Sequence, residues 1–441
     1  MPDRLVFDAH THLFNASYLV RELVAMGWHH LVHDHARPLP ARSTLAPPDP
    51  QVGTELQAIL KNVVQWASET RRSLVAPPSE HLETVREATS SLASGEVATI
   101  PLGMDIFYMF HQDQAAGSGG PPSPRPSASE RPERFESFGR ALAKVLLPGR
   151  AEGRAVGSDD ESLLRWFRDA VDSVEKATFE EAGADPDVCV SPGFRSHALE
   201  LIALERDNRG RVFPFFPVDP RRPGIYDIVT RGAGITDDGK PLVSPAGPFY
   251  GVKLYTRLGY KPSDPRLLDV LRYCSDKCVP VTVHASPLGF PPGKAWRYAS
   301  YANPADWREV LLREDCRELK VNFAHFGQIP GASTWPWADQ IEEMMKDDQL
   351  APRVFADIAC FTSESDHRMV LDRYRRSSAI RECLMYGSDY DVMGVSMFPG
   401  SLEPLSRYVK QTKNIWGEVD GAMDRMAIQN PLRFLGIASA Q

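Results

Sequence analysis

Leu5-Val6-Phe7-Asp8-Ala9-His10-Thr11-His12 is the stretch from which the rest of the chain can be read. Its apolar start reads as a strand, and a strand alternates its side chains between two faces. His10 and His12, one residue apart, therefore point the same way at the strand's C-terminal end. Two imidazoles on one face can grip a single cation from one side. They can equally be a packed, hydrogen-bonded structural pair, and at this point both readings stand.

Apolar runs of the same kind recur at residues 97–102, 212–218, 250–255, 280–284, 320–325, 353–358 and 383–387, making eight with residues 5–9. Each is bounded by turn residues and followed by a helix-like stretch, which predicts parallel strands with helical crossovers. Their near-continuous apolar character suits strands covered on both faces. The expected fold is therefore α/β, a closed (β/α)8 TIM barrel forming one domain over residues 1–441. Two large, mainly helical insertions interrupt it at about residues 15–96 and 105–211, with helices predicted over 55–72 and 162–181. Within the second, residues 113–134 include the Gly/Ser/Pro-rich run 115–127, which reads as a flexible loop. No glycine-rich phosphate loop follows any strand.

The 441 residues are 42% hydrophobic and 24% charged, ordinary for a globular protein, and carry a net charge of −8. That balance offers phosphate backbones no basic surface, so nucleic acid is not an expected partner. No apolar run approaches the length of a membrane span, and the first residues lead straight into a strand without a signal-peptide core. Six scattered cysteines read as reduced thiols, and the expected location is cytoplasmic. A homodimer is left open. A helix predicted over 265–277 puts Cys274 and Cys278 on one face, more simply as packed thiols than as a metal clip.

Polar residues mark the ends of the later strands: Lys253 on the fourth, His284 on the fifth, His325 on the sixth, Asp357 on the seventh and Asp389 on the eighth. In a barrel these ends converge on the face where active sites are built. Four buried histidines and an aspartate on one rim would repel and pay for desolvation unless a cation compensates.

Phe7-Asp8-Ala9-His10-Thr11-His12, Val283-His284-Ala285-Ser286, Ala324-His325-Phe326-Gly327, Gly387-Ser388-Asp389-Tyr390 and the closing Asn430-Pro431-Leu432-Arg433-Phe434-Leu435-Gly436 together resemble the amidohydrolase superfamily, in its amidohydrolase-related (family 2) branch. The resemblance implies that His10, His12, His284 and Asp389 bind one divalent metal, zinc first among candidates, whose open position makes water available as a nucleophile. Asp389 would then be the general base, and His325 would orient the water and shuttle a proton. Asp8 would support from behind or serve as a cap. In binuclear members a carboxylated lysine at the place of Lys253 bridges two metals, and His284 and His325 would hold the second. One metal is the preferred expectation, with Lys253 then a substrate contact.

Tyr255 and Arg257 follow the fourth strand, where Arg257 could fork onto a substrate carboxylate or make a surface ion pair. His29, His30, His33 and His35 invite a second metal site but read more simply as a solvated or lid-lining loop. Asp105 and His111 are expected to line the pocket. Trp335 and Trp337 either wall it or staple a loop. Asp366-His367-Arg368 reads as a solvated helix start. The function these residues favour is a metal-dependent hydrolase acting on an amide, lactone or ester-like bond of a small molecule. The alternatives are a metal-dependent decarboxylase of a small aromatic or unsaturated acid, and a non-catalytic metal-binding scaffold.

Overall fold

The computed structural model describes residues 4–13, 77–105, 190–236, 238–289, 298–329, 331–390 and 405–437. The helices predicted over 55–72 and 162–181, the loop at 113–134, the histidines at 29–35 and His111 lie outside them.

Eight parallel strands form where the apolar runs predict them. β1 (Leu5–Thr11) pairs with β2 (Glu96–Pro101). β3 (Phe215–Val218), β4 (Gly251–Leu254), β5 (Val281–His284), β6 (Val321–Ala324), β7 (Val354–Asp357) and β8 (Leu384–Met385) make a six-stranded sheet in chain order. Parallel bridges Thr99↔Val212 and Leu102↔Phe215 connect β2 to the approach of β3. On the other side Thr11 bridges Tyr390, the Ala9 amide donates to Tyr386 O at 2.9 Å, and the Asp389 amide donates to His10 O at 2.7 Å. Strands β3 to β8 are buried at every position, as parallel strands covered on both faces must be.

β3 to β8 are all shorter than their apolar runs, and β3 and β8, which lose the most, do so for backbone reasons. Before Pro214 the chain pairs with β2 instead, Phe213 N donating to Thr99 O, and β3 pairs with β4 only from Phe215 on. β8 stops at Met385 because the next amides turn to other partners: Tyr386 N donates to Met426 O and Ser388 N to Asp8 Oδ1. That diversion carries the chain towards β1.

The helices between strands are α1 (Pro78–Thr89), α2 (Pro192–Asp207), α3 (Ile225–Arg231), α4 (Pro265–Asp276), α5 (Ala305–Leu311), α6 (Pro336–Lys346), α7 (Glu364–Arg376), α8 (Ser378–Cys383) and α9 (Leu405–Trp416). α1 and α2 fall in the two regions read as insertions. Capping is visible where the sequence supplies it: Asp264 accepts from Arg266 N ahead of Pro265, and Ser363 accepts from Asp366 N. Among the described residues no helix is long and apolar enough to cross a membrane.

Two smaller expectations need correction, the shared face of the two cysteines and the solvated Asp366–His367, while Trp335 takes the loop-stapling alternative and Asp105 finds a partner. Helix α4 ends before Cys278, which sits exposed at φ 54° while Cys274 is buried, so the two thiols do not share a helical face. Trp335 is buried edge-on against Phe361, their centroids 5.5 Å apart, and staples the start of α6 rather than walling a pocket. Asp105 makes a buried two-pronged ion pair with Arg222, at 2.8 Å on each arm, and Arg222 lies over the Phe194 ring. Asp366 and His367 are buried, because α7 turns that face inward: Gln328 donates to Asp366, and Trp416 Nε1 donates to His367 Nδ1 at 3.1 Å.

Burial pulls the His367 imidazole down from 6.5 to about 4. A folded-state value below the unfolded one means the unfolded chain takes the proton first, so stability is lost as pH falls from about 6.5 towards 4. Over that window the cost is on the order of 3 kcal/mol. His367→Gln keeps an acceptor for Trp416 and removes the titration, so denaturant melts of the variant should show a shallower loss than wild type between pH 7 and about 4. Parallel pH profiles would refute this assignment.

Candidate metal centre

The C-terminal ends of β1, β5, β6, β7 and β8 deliver the side chains that meet here. His10 and His12 project from the same face of β1, their ring centroids 5.4 Å apart. Asp389, three residues past Tyr386, takes φ 58°, a left-handed conformation that Asp tolerates better than most residues. His325 and Phe326 are also left-handed, at φ 65° and 47°, where β6 ends. A Cβ at Gly387 would stand 2.6 Å from the Cβ of His10, so only glycine lets the chain before Asp389 pass this close.

Each imidazole is held from behind by a group that can only accept. His10 Nδ1 faces Asp357 Oδ2 at 3.1 Å, and His12 Nδ1 faces Leu102 O at 2.8 Å. His325 Nδ1 faces Ala359 O at 3.1 Å, and His284 Nε2 faces Ser286 O at 3.0 Å and Leu288 O at 2.7 Å. An acceptor partner places the ring proton on the nitrogen that faces it. The opposite nitrogens then turn towards one another: His10 Nε2 and His12 Nε2 each lie 3.3 Å from Asp389 Oδ1, and His325 Nε2 lies 3.1 Å from His284 Nδ1. Two neutral imidazoles thus face each other lone pair to lone pair. His10 Nε2 is buried without a hydrogen bond among the described residues despite its nearness to Asp389. A divalent cation satisfies this donor set, because borderline nitrogen ligands and one carboxylate are what zinc-type ions take. The ligand atoms of His10, His325 and Asp389 all lie within 4.8 Å of one another.

The electrostatics agree. Burial holds His12, His284 and His325 below the usual histidine value, His325 at about 4, so these rings are neutral. Burial also pulls on His10, but the carboxylates of Asp357 and Asp389 outweigh it and hold this ring above the ordinary value. Asp389 and Asp357 stay ionised: burial opposes it, and His10 together with the neighbouring histidines overcomes burial in both.

Asp357 has the largest supporting role, and sequence reading placed it on the rim without assigning it one. Its Oδ2 accepts from Asn322 Nδ2 at 2.8 Å as well as from His10, while Oδ1 accepts the amides of His325 at 3.0 Å and Ala359 at 3.1 Å. Asn322 was missed altogether; its only signal was a polar residue inside an apolar strand. Asp8 clamps β1 to the end of β8 by accepting from Ser388 N at 2.9 Å and His10 N at 3.3 Å, and burial pushes its carboxyl up to about 7. Cys360, at φ 64° beyond β7, also interacts with Asp389, and no sequence signal singled it out.

The remaining predicted residues stand on the β4 side. Tyr255 stacks on His284 with centroids 4.3 Å apart and planes 17° from parallel. A Cβ at Gly289, φ 141°, would reach 2.3 Å from Tyr255 Oη and 2.9 Å from His284, so only a glycine lets the backbone pass this close to the stack. Arg257 is fully buried in the turn Thr256–Leu258 and its charge acts on His284, which corrects the surface ion-pair reading. Lys253 is buried on β4, and its charge is felt by all four histidines.

Comparison with known proteins gives the chain a family. A sequence model of the family described as Amidohydrolase matches residues 181–437, more than half of the chain. No curated protein matches it. Among solved structures, an amidohydrolase from Burkholderia multivorans with bound zinc is 14% identical, with a TM-score of 0.40 over 60% of this chain and 88% of that one. A 2,6-dihydroxybenzoate decarboxylase is 8% identical, with a TM-score of 0.42 over 99% and 100%. A probable 2-pyrone-4,6-dicarboxylic acid hydrolase from Acinetobacter baumannii is 14% identical, with a TM-score of 0.38 over 54% and 78%. With its family model spanning β3 to the C-terminal helices, this chain belongs to the amidohydrolase family.

Proposed function

We propose that this chain is a metal-dependent hydrolase of a small molecule, working at the open end of a closed eight-stranded barrel whose helical insertions shape the substrate space. The observation that carries this reading is the convergence of His10, His12 and His325 on the Asp389 carboxylate, with His284 against His325 and each ring fixed from behind by an acceptor. His10, His12, His284 and Asp389 would hold one divalent ion, zinc being the natural choice for this donor set. When bound, the ion supplies Lewis acidity and lowers the pKa of water at its open position towards about 7.

The chain's own residues handle the rest. Asp389, kept ionised between His10 and His12, accepts the proton of the attacking water as its oxygen bonds to the acyl carbon. His325, neutral and with its inward nitrogen free of a proton, takes that proton from Asp389 and relays it to the departing oxygen or nitrogen as the acyl bond breaks, which returns both groups to their starting states. An ionised Asp389 suits taking a proton from water better than giving one to a carbanion, which favours hydrolysis over decarboxylation. One observation favours a second ligand set: the close grouping of His10, His325 and Asp389 makes His325 a ligand and His284 the proton carrier.

Elemental analysis of protein purified without chelators should find about one metal per chain. His10→Ala, His12→Ala and Asp389→Ala should each lose it, together with hydrolysis of a panel of amides, lactones and esters. CO₂ release from carboxylated aromatics without any hydrolysis would overturn the reaction class. His325→Ala should keep the metal and lose activity; loss of metal from that variant selects the second ligand set.

Asp357→Asn replaces an acceptor of four donors by an amide that must turn an N–H towards some of them. Metal affinity should fall by about 10–100-fold while the fold persists. Competition with a fluorescent zinc chelator measures it, and an unchanged affinity removes Asp357 from the centre's support.

A further inference from the structure

Lys253 is a buried cation that the hydrolytic reading does not use. Its side chain is 2% exposed, and among the described residues Nζ has no hydrogen-bond partner. An ammonium taken out of water without an acceptor is costly, and folds keep such groups where a ligand completes them. Its position is set by register: Lys253 pairs with Thr282 on β5, and Thr282 pairs with Asn322 on β6. Thr282 Oγ1 accepts from Asn322 Nδ2, which also donates to Asp357. Lys253 therefore belongs to the inward row that carries the support of His10, two residues below the Tyr255–His284 stack on their strands. The carboxylates whose fields reach it, Asp357 and Asp389, are engaged by His10, Asn322, two amides and His12, and neither forms an ion pair with it.

We propose that the substrate carries a carboxylate apart from the bond that is hydrolysed, and that the Lys253 ammonium binds it beneath the histidine cluster. The carboxylate supplies the acceptor that the fold withholds. A compact point charge on a flexible stem suits an anion arriving at a crowded site, where a planar guanidinium would need more room. This specificity rests on the metal-dependent reading, and the two can fail separately.

Calorimetric titration of zinc-reconstituted protein with benzoate, acetate and the neutral isostere benzamide tests it. Lys253→Met, close in length and uncharged, should weaken carboxylate binding by about tenfold or more. Benzamide binding should stay within about twofold and zinc per chain should be unchanged. The metal-free variant should melt higher than wild type, because the unpartnered ammonium is gone, so a folding defect would be visible. Carboxylate affinity equal to wild type overturns the proposal, as does failure of both carboxylates to bind zinc-loaded wild type. Loss of a zinc equivalent in Lys253→Met also overturns it and makes Lys253 a metal-site residue. Wild-type protein that takes up no zinc overturns the metal reading instead.

Discussion

The Asp357 carboxylate is the interaction on which the arrangement of this site depends. It accepts from the His10 ring on β1, the Asn322 amide on β6, and the backbone amides of His325 and Ala359 beyond β6 and β7. A carboxylate has about four lone-pair positions, and all are directed here. One buried anion thereby sets the orientation of a ring on the first strand and the path of the backbone after the sixth. Its carboxyl is held low against burial by its contacts with His10 and His325.

From that anchor follows the orientation of the other rings. A neutral imidazole has one donor and one acceptor nitrogen, so fixing the donor outward forces the acceptor inward. Backbone carbonyls of Leu102, Ala359, Ser286 and Leu288 do for His12, His325 and His284 what Asp357 does for His10. The consequence is an interior rich in lone pairs and poor in protons, an arrangement that a bound cation would complete.

What could be read from sequence was what obeys a period. Continuous apolar runs mark strands buried on both sides, and a polar residue at each run's end marks the face where the strands deliver chemistry. His10, His12, His284, His325 and Asp389 were legible for that reason, and the structure brings them together. What could not be read depends on partners far along the chain. Asp357 shows its role only when β1 and β6 lie beside β7, and Asn322 only when it reaches that carboxylate. His367 looked solvated because its neighbours are charged, yet the pitch of α7 turns it against Trp416. Cys278 left the predicted helix because α4 ends two residues before it.

The left-handed residues tie the backbone to this chemistry. His325, Phe326, Cys360 and Asp389 all adopt positive φ where β6, β7 and β8 end. Such residues cost on the order of 1–3 kcal/mol each unless the surroundings over-determine them. Here the surroundings do: Asp357 captures the amides of His325 and Ala359, His10 O captures that of Asp389, and Gly387 allows the approach to His10. Asp389 leaves the extended conformation at φ 58°, with its amide on His10 O and its carboxylate facing the His10 and His12 rings. Leaving the ladder early is therefore what lets the eighth strand's aspartate meet the first strand's histidines, and the short β8 is a condition of the site rather than a defect of the sheet.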